Sequence, residues 1–377
     1  MIQYYVALLD EPHRLEAFDK AISAAVRPDD VVVDLGCGVG TFAIFAARAG
    51  ARRVIGVESS PVIECARQVV RDNGLDIELI AGDAFDIRLP ERATYLIFED
   101  FSTTFLSDGT RRLYDSIIKH WMADEFRVFP QRLTLNAVPV AGTSIRRDVD
   151  PWHDGGLSDY GIDFSSIRTV SYNTLHNISN DLDVEMLAAP TQLIDHELGT
   201  SIPDHWEGKL VYEIDKSGAL EGLSLWHNLV LDESSTYSNL PGTNESKTWG
   251  QALFPLSEPW QVAVGDRLEC ELQYQPGAGD GLWRWSFELF SPDGESRRQC
   301  TANSFAGLPM SRQFLAEMRK DPVAALTPEA EREACVLSLA DGKRTVNELA
   351  EEFARLFPDV PSPRTVVADI LGGRLRS

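Results

Sequence analysis

At 377 residues the chain is long enough for two or three domains with their own cores. Its net charge of −23 disfavours DNA, RNA and anionic membranes, whose phosphates attract basic surfaces, and leaves a basic peptide or protein as the partner it would draw in. The five cysteines, at 37, 65, 270, 300 and 335, are odd in number and show no metal-ligand spacing, which fits a reducing cytoplasm and no metal site.

The N-terminus lacks the charged and apolar regions of a signal peptide, and no apolar run approaches the roughly 20 residues that span a bilayer. From residue 1 to about 133, helix-like and strand-like segments alternate. A helix is expected over Arg14–Ala25. Strands are expected at Val31–Leu35, Val54–Glu58, Ile77–Ala81 and Tyr95–Glu99, with helices at Gly40–Ala49 and Pro61–Asn73. That order predicts a doubly wound, Rossmann-like α/β domain.

Within it, Val31-Val-Val-Asp-Leu-Gly-Cys-Gly-Val-Gly40 carries the most information. A buried parallel strand reads as a continuous apolar run, and glycines let the backbone turn tightly and approach a ligand. The pattern D-x-G-x-G-x-G is not the dinucleotide G-x-G-x-x-G, because its third glycine comes one residue early. Asp34 stands where a cofactor ammonium would be met. Glu58, ending the second strand, is placed to accept hydrogen bonds from ribose hydroxyls. Leu79-Ile-Ala-Gly-Asp83 adds a third strand and an acid suited to an adenine amine, or the adjacent backbone at Ala84 takes that part. These residues resemble the class I S-adenosylmethionine methyltransferases, which implies S-adenosylmethionine lying over Gly36, Gly38 and Gly40.

Tyr95-Leu-Ile-Phe-Glu99-Asp100-Phe101 puts two acids at the C-terminal end of a strand, the edge where such sheets bind ligands. Asp108 follows nine residues after Glu99, across the polar, flexible-looking stretch Ser102–Ser107. Two facing carboxylates hold a planar guanidinium by bidentate hydrogen bonds and orient it for attack on a sulfonium methyl. The rate gain from such a pair comes from positioning and electrostatics.

From about 134 to 315 short alternating runs, separated by Gly, Pro, Asn and Asp, predict a β barrel or sandwich. Its strands are expected at Leu133–Val140, Leu210–Ile214, Leu223–Leu231, Trp249–Pro255, Arg267–Tyr274 and Trp283–Phe290. Trp283 and Trp285 alternate with Arg284 as barrel core does. From 316 to 377 the period is helical again, and Thr345-Val-Asn-Glu348 is a capping box that opens a helix to about Leu356. His153, His205 and His227 each neighbour a tryptophan and read as packing residues. His13 reads as a helix-surface residue and Cys37 as packing inside the glycine turn.

The order of parts resembles the protein arginine methyltransferase family, strongly in the first half and patchily to about residue 290. Asp10-Glu-Pro-His-Arg14 is similar to the family's N-terminal helix, whose arginine grips the cofactor carboxylate. Glu99 falls on the first acid of the family's double-glutamate loop. Asp108 falls on the second, one methylene shorter. Lys247-Thr-Trp249-Gly-Gln251 resembles the Thr-His-Trp loop, with Thr248 in the histidine's place. The resemblance implies Glu99 and Asp108 as catalytic residues, Arg14 as a cofactor ligand, Asp100 and Trp249 beside the substrate, and a possible homodimer.

There are departures. Of the aromatic helix that covers the family's cofactor only Tyr4-Tyr5 remains. Asp100 and Phe101 replace the residues that follow the first glutamate. The region 141–209, with Trp152-His153-Asp154, has no counterpart. A second resemblance, over about 327–377, is to small winged-helix modules that bind leader peptides. The reading is therefore three parts: a methyltransferase domain at 1–133, a β-barrel-like substrate or dimerisation domain at 134–315, and a small helical or winged-helix-like module at 316–377. The activity implied is N-methylation of a cationic nitrogen in a peptide or protein. Open beside it stand a small natural product or ribosomally made peptide as acceptor, through an amine or carboxylate, and a non-catalytic binding scaffold.

Overall fold

The computed structural model describes residues 2–372 except 152–160, 180–181, 242, 244–245, 247, 278–280, 309–325 and 327. Trp152-His153-Asp154 and Lys247 lie outside the described residues. The chain divides into two compact units, Met1–Pro309 and Met310–Ser377.

The first unit opens with α1 (Ile2–Leu9) and α2 (Pro12–Ala25), then alternates β1 (Val31–Leu35), α3 (Thr41–Arg48), β2 (Arg53–Glu58), α4 (Ile63–Asp72), β3 (Glu78–Ala81), β4 (Ala93–Phe98), α5 (Asp108–Trp121) and β5 (Met122–Phe129). The five strands form a parallel sheet in the order β3-β2-β1-β4-β5. All of β1 is buried, as an apolar strand covered on both faces must be. α2 starts with Pro12, which suits a helix's first turn, and buries Arg14, Phe18, Ala21 and Ile22 along one stripe. The strand order reverses between β1 and β4. The crevice outside their C-terminal ends, where Gly36 and Glu99 begin their loops, is where such sheets take ligands.

The antiparallel part follows at once: β6 (Arg132–Ala141), α6 (Thr143–Val149), α7 (Ser165–Tyr172), β7 (His176–Ile178), β8 (Glu185–Met186), β9 (Thr191–Glu197), β10 (Trp206–Glu213), β11 (Gly218–Val230), β12 (Thr236–Ser238), β13 (Gln251–Val262), β14 (Arg267–Gln275), β15 (Leu282–Phe290) and β16 (Ser296–Asn303). One sheet runs β10-β14-β15-β16. The other runs β7-β13-β11-β6-β8, with β9 on β6 and β12 on β11. Inward residues pair across β14 and β15 as Tyr274 with Trp283, Leu272 with Trp285 and Cys270 with Phe287. Phe254 of β13 meets both tryptophans edge-on at 5.2 Å, which joins the two sheets face to face.

The expected division at 133 falls inside β6, one residue after the change from parallel to antiparallel pairing, and both parts belong to the unit that ends at Pro309. β5, the short strands β7, β8, β9 and β12, the edge strand β16 and helices α5 to α7 add to the expected elements.

In the second unit, α8 (Pro328–Leu339), α9 (Val346–Leu356) and α10 (Pro363–Leu371) surround a core of Val336, Leu349, Ala350, Phe353, Val367 and Leu371. Thr345 and Glu348 complete the capping box reciprocally. Among the described residues this unit contains no strand. Among the described residues no helix is long and apolar enough to cross a membrane.

Candidate active site

The turn from β1 to α3 needs its glycines. Gly36, Gly38 and Gly40 have φ of +69°, +54° and +88°, a region side chains disfavour. A Cβ at Gly38 would also fall 2.4 Å from the ring of Tyr5. So α1 lies against the turn. The segment that the sequence showed only as Tyr4-Tyr5 is an eight-residue helix, with Tyr5 on that turn and Tyr4 in the lining of the cavity described below. Its brevity hid it, since eight residues give little periodicity.

Three acids stand at the ends of β1, β2 and β3. Asp34 is buried and accepts the Ala43 N–H at 2.9 Å. Desolvation pushes its carboxyl up to about 8; the Ala43 N–H opposes the rise, and the charges of Glu99 and Glu58 add to it. Glu58 accepts the Gly38 N–H at 3.0 Å on one oxygen and the Ser60 N–H at 2.8 Å on the other, which fixes its carboxylate beside the turn. Asp83 is exposed and accepts the Phe85 N–H at 2.9 Å. Ala84 is half-buried beside it, and Gly82 N–H donates to the Glu58 carbonyl. Cys37 is buried, and that burial pushes its thiol far above the ordinary range.

Across the crevice, Arg14 holds Glu99. Its Nε reaches Oε1 at 3.1 Å and its Nη2 reaches Oε1 at 2.6 Å and Oε2 at 2.5 Å. The guanidinium also packs 5.2 Å from the Phe18 ring centroid, 5.1 Å from Phe42 and 5.9 Å from Trp249. Burial raises the Glu99 carboxyl above its ordinary value, and Arg14 works against that rise. A carboxylate has about four acceptor directions, so a second cation has room on Glu99.

Glu99 opens onto a cavity of about 250 Å³. Tyr4, Asp100, Phe101, Trp249, His227 and Asn239 line it, with Thr103, Asn177, Thr248 and Gly250. The structure thus brings together Glu99, Asp100 and Trp249. It does not bring Asp108 to that lining. Asp108 is the first residue of α5, behind the Ser107 N-cap, and its carboxylate binds Arg111 at 2.6 Å. The stretch before it is not the open loop its polarity suggested. Thr104, Phe105, Leu106 and Ser107 are buried, and Phe101 meets Phe98 and Phe105 edge-on, with the Phe105 ring tilted against His196.

Two residues of this site escaped the sequence reading. Glu11 is buried. It accepts the Thr248 N–H at 2.6 Å, the Thr248 hydroxyl at 2.8 Å and the Tyr237 hydroxyl at 2.8 Å, and so anchors the Trp249 loop to the start of α2. His227, read as a packing residue, lines the cavity instead. Its local signal is only a histidine in an apolar strand. His205 is exposed beside Asp204, and His13 is exposed on α2. His153 lies outside the described residues.

Residues 32–121 match the family model described as a methyltransferase domain. The chain is 25% identical over 312 residues to protein arginine N-methyltransferase 1 of Saccharomyces cerevisiae, covering 74% of this chain and 82% of that one. It is 25% identical over 280 residues to arginine N(omega)-methyltransferase of Streptomyces achromogenes, covering 72% and 75%. Its fold matches that of Arabidopsis thaliana protein arginine methyltransferase 10 with a TM-score of 0.65 at 21% identity, covering 81% and 98%.

The fold, the glycine turn and these matches make the chain a class I S-adenosylmethionine-dependent methyltransferase. Within that class it is protein-arginine-methyltransferase-like: a parallel sheet and an antiparallel sheet pair in one unit, followed by a few C-terminal helices. The residues present suit the cofactor. The Asp34 carboxyl, once ionised beside it, suits the cofactor's ammonium, the fixed Glu58 carboxylate can accept hydrogen bonds from its ribose hydroxyls, and the guanidinium of Arg14 suits its carboxylate in charge.

Proposed function

We propose that this enzyme methylates a guanidinium nitrogen of arginine in a peptide or protein. The observation that carries the reading is Glu99, held by Arg14 and lining a small cavity with Asp100, Tyr4 and Trp249. Bound S-adenosylmethionine supplies an electrophilic methyl on a sulfonium. Asp34 meets its ammonium, Glu58 its ribose, Arg14 its carboxylate, and Asp83 or the Ala84 backbone its adenine.

On the acceptor side, Glu99 takes a guanidinium N–H in the acceptor direction that Arg14 leaves open. Asp100, at the exposed mouth, supplies the second negative charge. Arg14 fixes the Glu99 rotamer, so the acceptor is oriented without further rearrangement. Trp249 and Tyr4 offer aromatic faces to the cation. Asp108 keeps a part only through α5, where it holds Arg111.

The cavity is smaller than the ~300–1,000 Å³ of drug-sized ligand sites, which suits one extended side chain. It adjoins a groove of about 490 Å³ that shares Phe101, Thr103 and Asn177 with it and is lined further by Leu175, Leu282 and Trp283. That groove supports a peptide, whose flanking residues need such a surface. Free arginine is the second reading, favoured by the cavity's size. Incubation with S-adenosylmethionine and a panel of arginine peptides, lysine peptides and free arginine, followed by mass spectrometry, tests both. Cofactor binding with no methylated arginine in any member of the panel sinks the proposal.

A further inference from the structure

His227 stands on β11 with 4% of its surface exposed, and it lines the cavity that Glu99 opens onto. Its backbone is fastened on both sides. Its N–H donates to the Asn239 side-chain oxygen at 2.7 Å, and its carbonyl accepts the Asn239 N–H at 3.3 Å. The Asn239 amide donates onward to the Gly250 carbonyl at 2.6 Å, so the histidine is tied to the Trp249 loop. The ring is held by the Thr103 backbone. Its Nε2 is buried and has no hydrogen-bond partner among the described residues.

A buried polar atom without a partner is costly and rare. Burial also holds this imidazole down to about 4, so it is neutral near pH 7. With the ring proton directed to the Thr103 carbonyl, Nε2 carries a lone pair and acts only as an acceptor. Its cavity neighbours Glu99 and Asp100 are acceptors when ionised, and neither supplies it a proton. An occupant of the cavity that carries an N–H can supply the donor that Nε2 lacks. A carboxylate brings no N–H and would meet Glu99 and Asp100 as a like charge. A guanidinium brings five N–H donors and a positive charge.

We propose that His227 is a specificity-determining residue whose Nε2 accepts a hydrogen bond from an N–H of the acceptor guanidinium that Glu99 holds. It rests on the arginine reading above. The family resemblance puts a histidine at position 248, where this chain has Thr248 bound to Glu11. An imidazole therefore reaches the pocket from β11 instead of from that loop. Asn177 also lines the cavity and adds a polar group to the same wall.

The test is a nitrogen NMR titration of the full chain labelled with ¹⁵N-histidine and saturated with S-adenosylhomocysteine. Methylguanidinium is added, and His227 is assigned among the seven histidines by its loss in His227→Gln. The expected result is a His227 Nε2 signal that starts at the unprotonated position and moves as methylguanidinium binds. Binding of methylguanidinium with no movement of that signal overturns the inference and leaves the arginine reading standing. Binding of S-adenosylhomocysteine without methylguanidinium overturns the arginine reading, and this inference with it. In turnover, His227→Phe is expected to raise KM for an arginine peptide about tenfold or more, because a hydrogen bond to a charged group is lost. His227→Gln, which keeps an acceptor, recovers most of that loss, and cofactor affinity is unchanged in both. An unchanged KM in His227→Phe also overturns it.

Discussion

Thr248 and Glu11 lie 237 positions apart and meet through two hydrogen bonds to one carboxylate oxygen. Three residues beyond Glu11, Arg14 holds Glu99. The start of α2 therefore joins the loop that carries Trp249 to the strand end that carries Glu99. Glu11→Ala leaves the Thr248 N–H and the Tyr237 hydroxyl without this acceptor. It is expected to cost about 2–3 kcal/mol of stability, against about 1 kcal/mol for Thr248→Val. Urea denaturation of the two variants checks the order. A Glu11→Ala midpoint equal to wild type would show that the tie contributes nothing.

Glu99→Gln keeps the shape of the side chain and removes its charge. Loss of one preorganised electrostatic contact to the acceptor is expected to lower kcat/KM about 10²–10³-fold. The pH dependence has a fixed sign. The ionised carboxylate is the form that holds a cation, and burial raises Glu99 above the ordinary 4.5. Activity should fall on acidification with an apparent value above 4.5, and the acid limb should disappear in Glu99→Gln. A limb centred below 4.5 would contradict the burial argument.

The parts of this site legible in the sequence are those coded by neighbours in the chain. β1 is apolar because both of its faces are covered, and the glycines after it stand at positive φ, so strand and turn announce themselves. The capping box at Thr345 does so as well. α5 carried a readable signal too, with Ser107 as N-cap and Tyr114, Ile117 and Trp121 buried on one stripe. Glu11 and His227 are different. Their roles depend on partners from other strands and loops, and nothing in the residues beside them encodes those partners. The loop at 102–107 misleads for the same reason. Its composition is polar, yet Phe105 and Leu106 are fully buried because the aromatic group they join is assembled by the fold.

Asp108 separates the sequence pattern from the structure. Its spacing from Glu99 fits a pair of acids on one substrate, whereas its carboxylate opens α5 and binds Arg111. Asp108→Asn is expected to cost about 0.5–1 kcal/mol of stability through the helix terminus and the lost ion pair. Its kcat/KM should stay within about threefold of wild type, far from the effect of Glu99→Gln. Steady-state kinetics on an arginine peptide decide the matter. A loss comparable to that of Glu99→Gln would put Asp108 back on the acceptor.

Asp34 links cofactor binding to protons. In the free protein its carboxyl is raised to about 8, so near pH 7 most of it is protonated. A cofactor ammonium beside it favours the ionised form and lowers that value. Binding should then release a proton wherever Asp34 still carries one, and affinity should rise with pH, by at most about tenfold per unit, until it levels above about 8. Calorimetry at about pH 7 in buffers of different ionisation enthalpy measures the released proton, and proton uptake would sink the assignment. Stability has its own sign. A carboxyl whose folded value is raised contributes stability that is fully present below its ordinary 3.8 and is lost as pH rises through about 8. Asn keeps an acceptor for the Ala43 N–H and cannot ionise, so Asp34→Asn should gain stability relative to wild type as pH is raised, while its cofactor affinity loses the pH dependence.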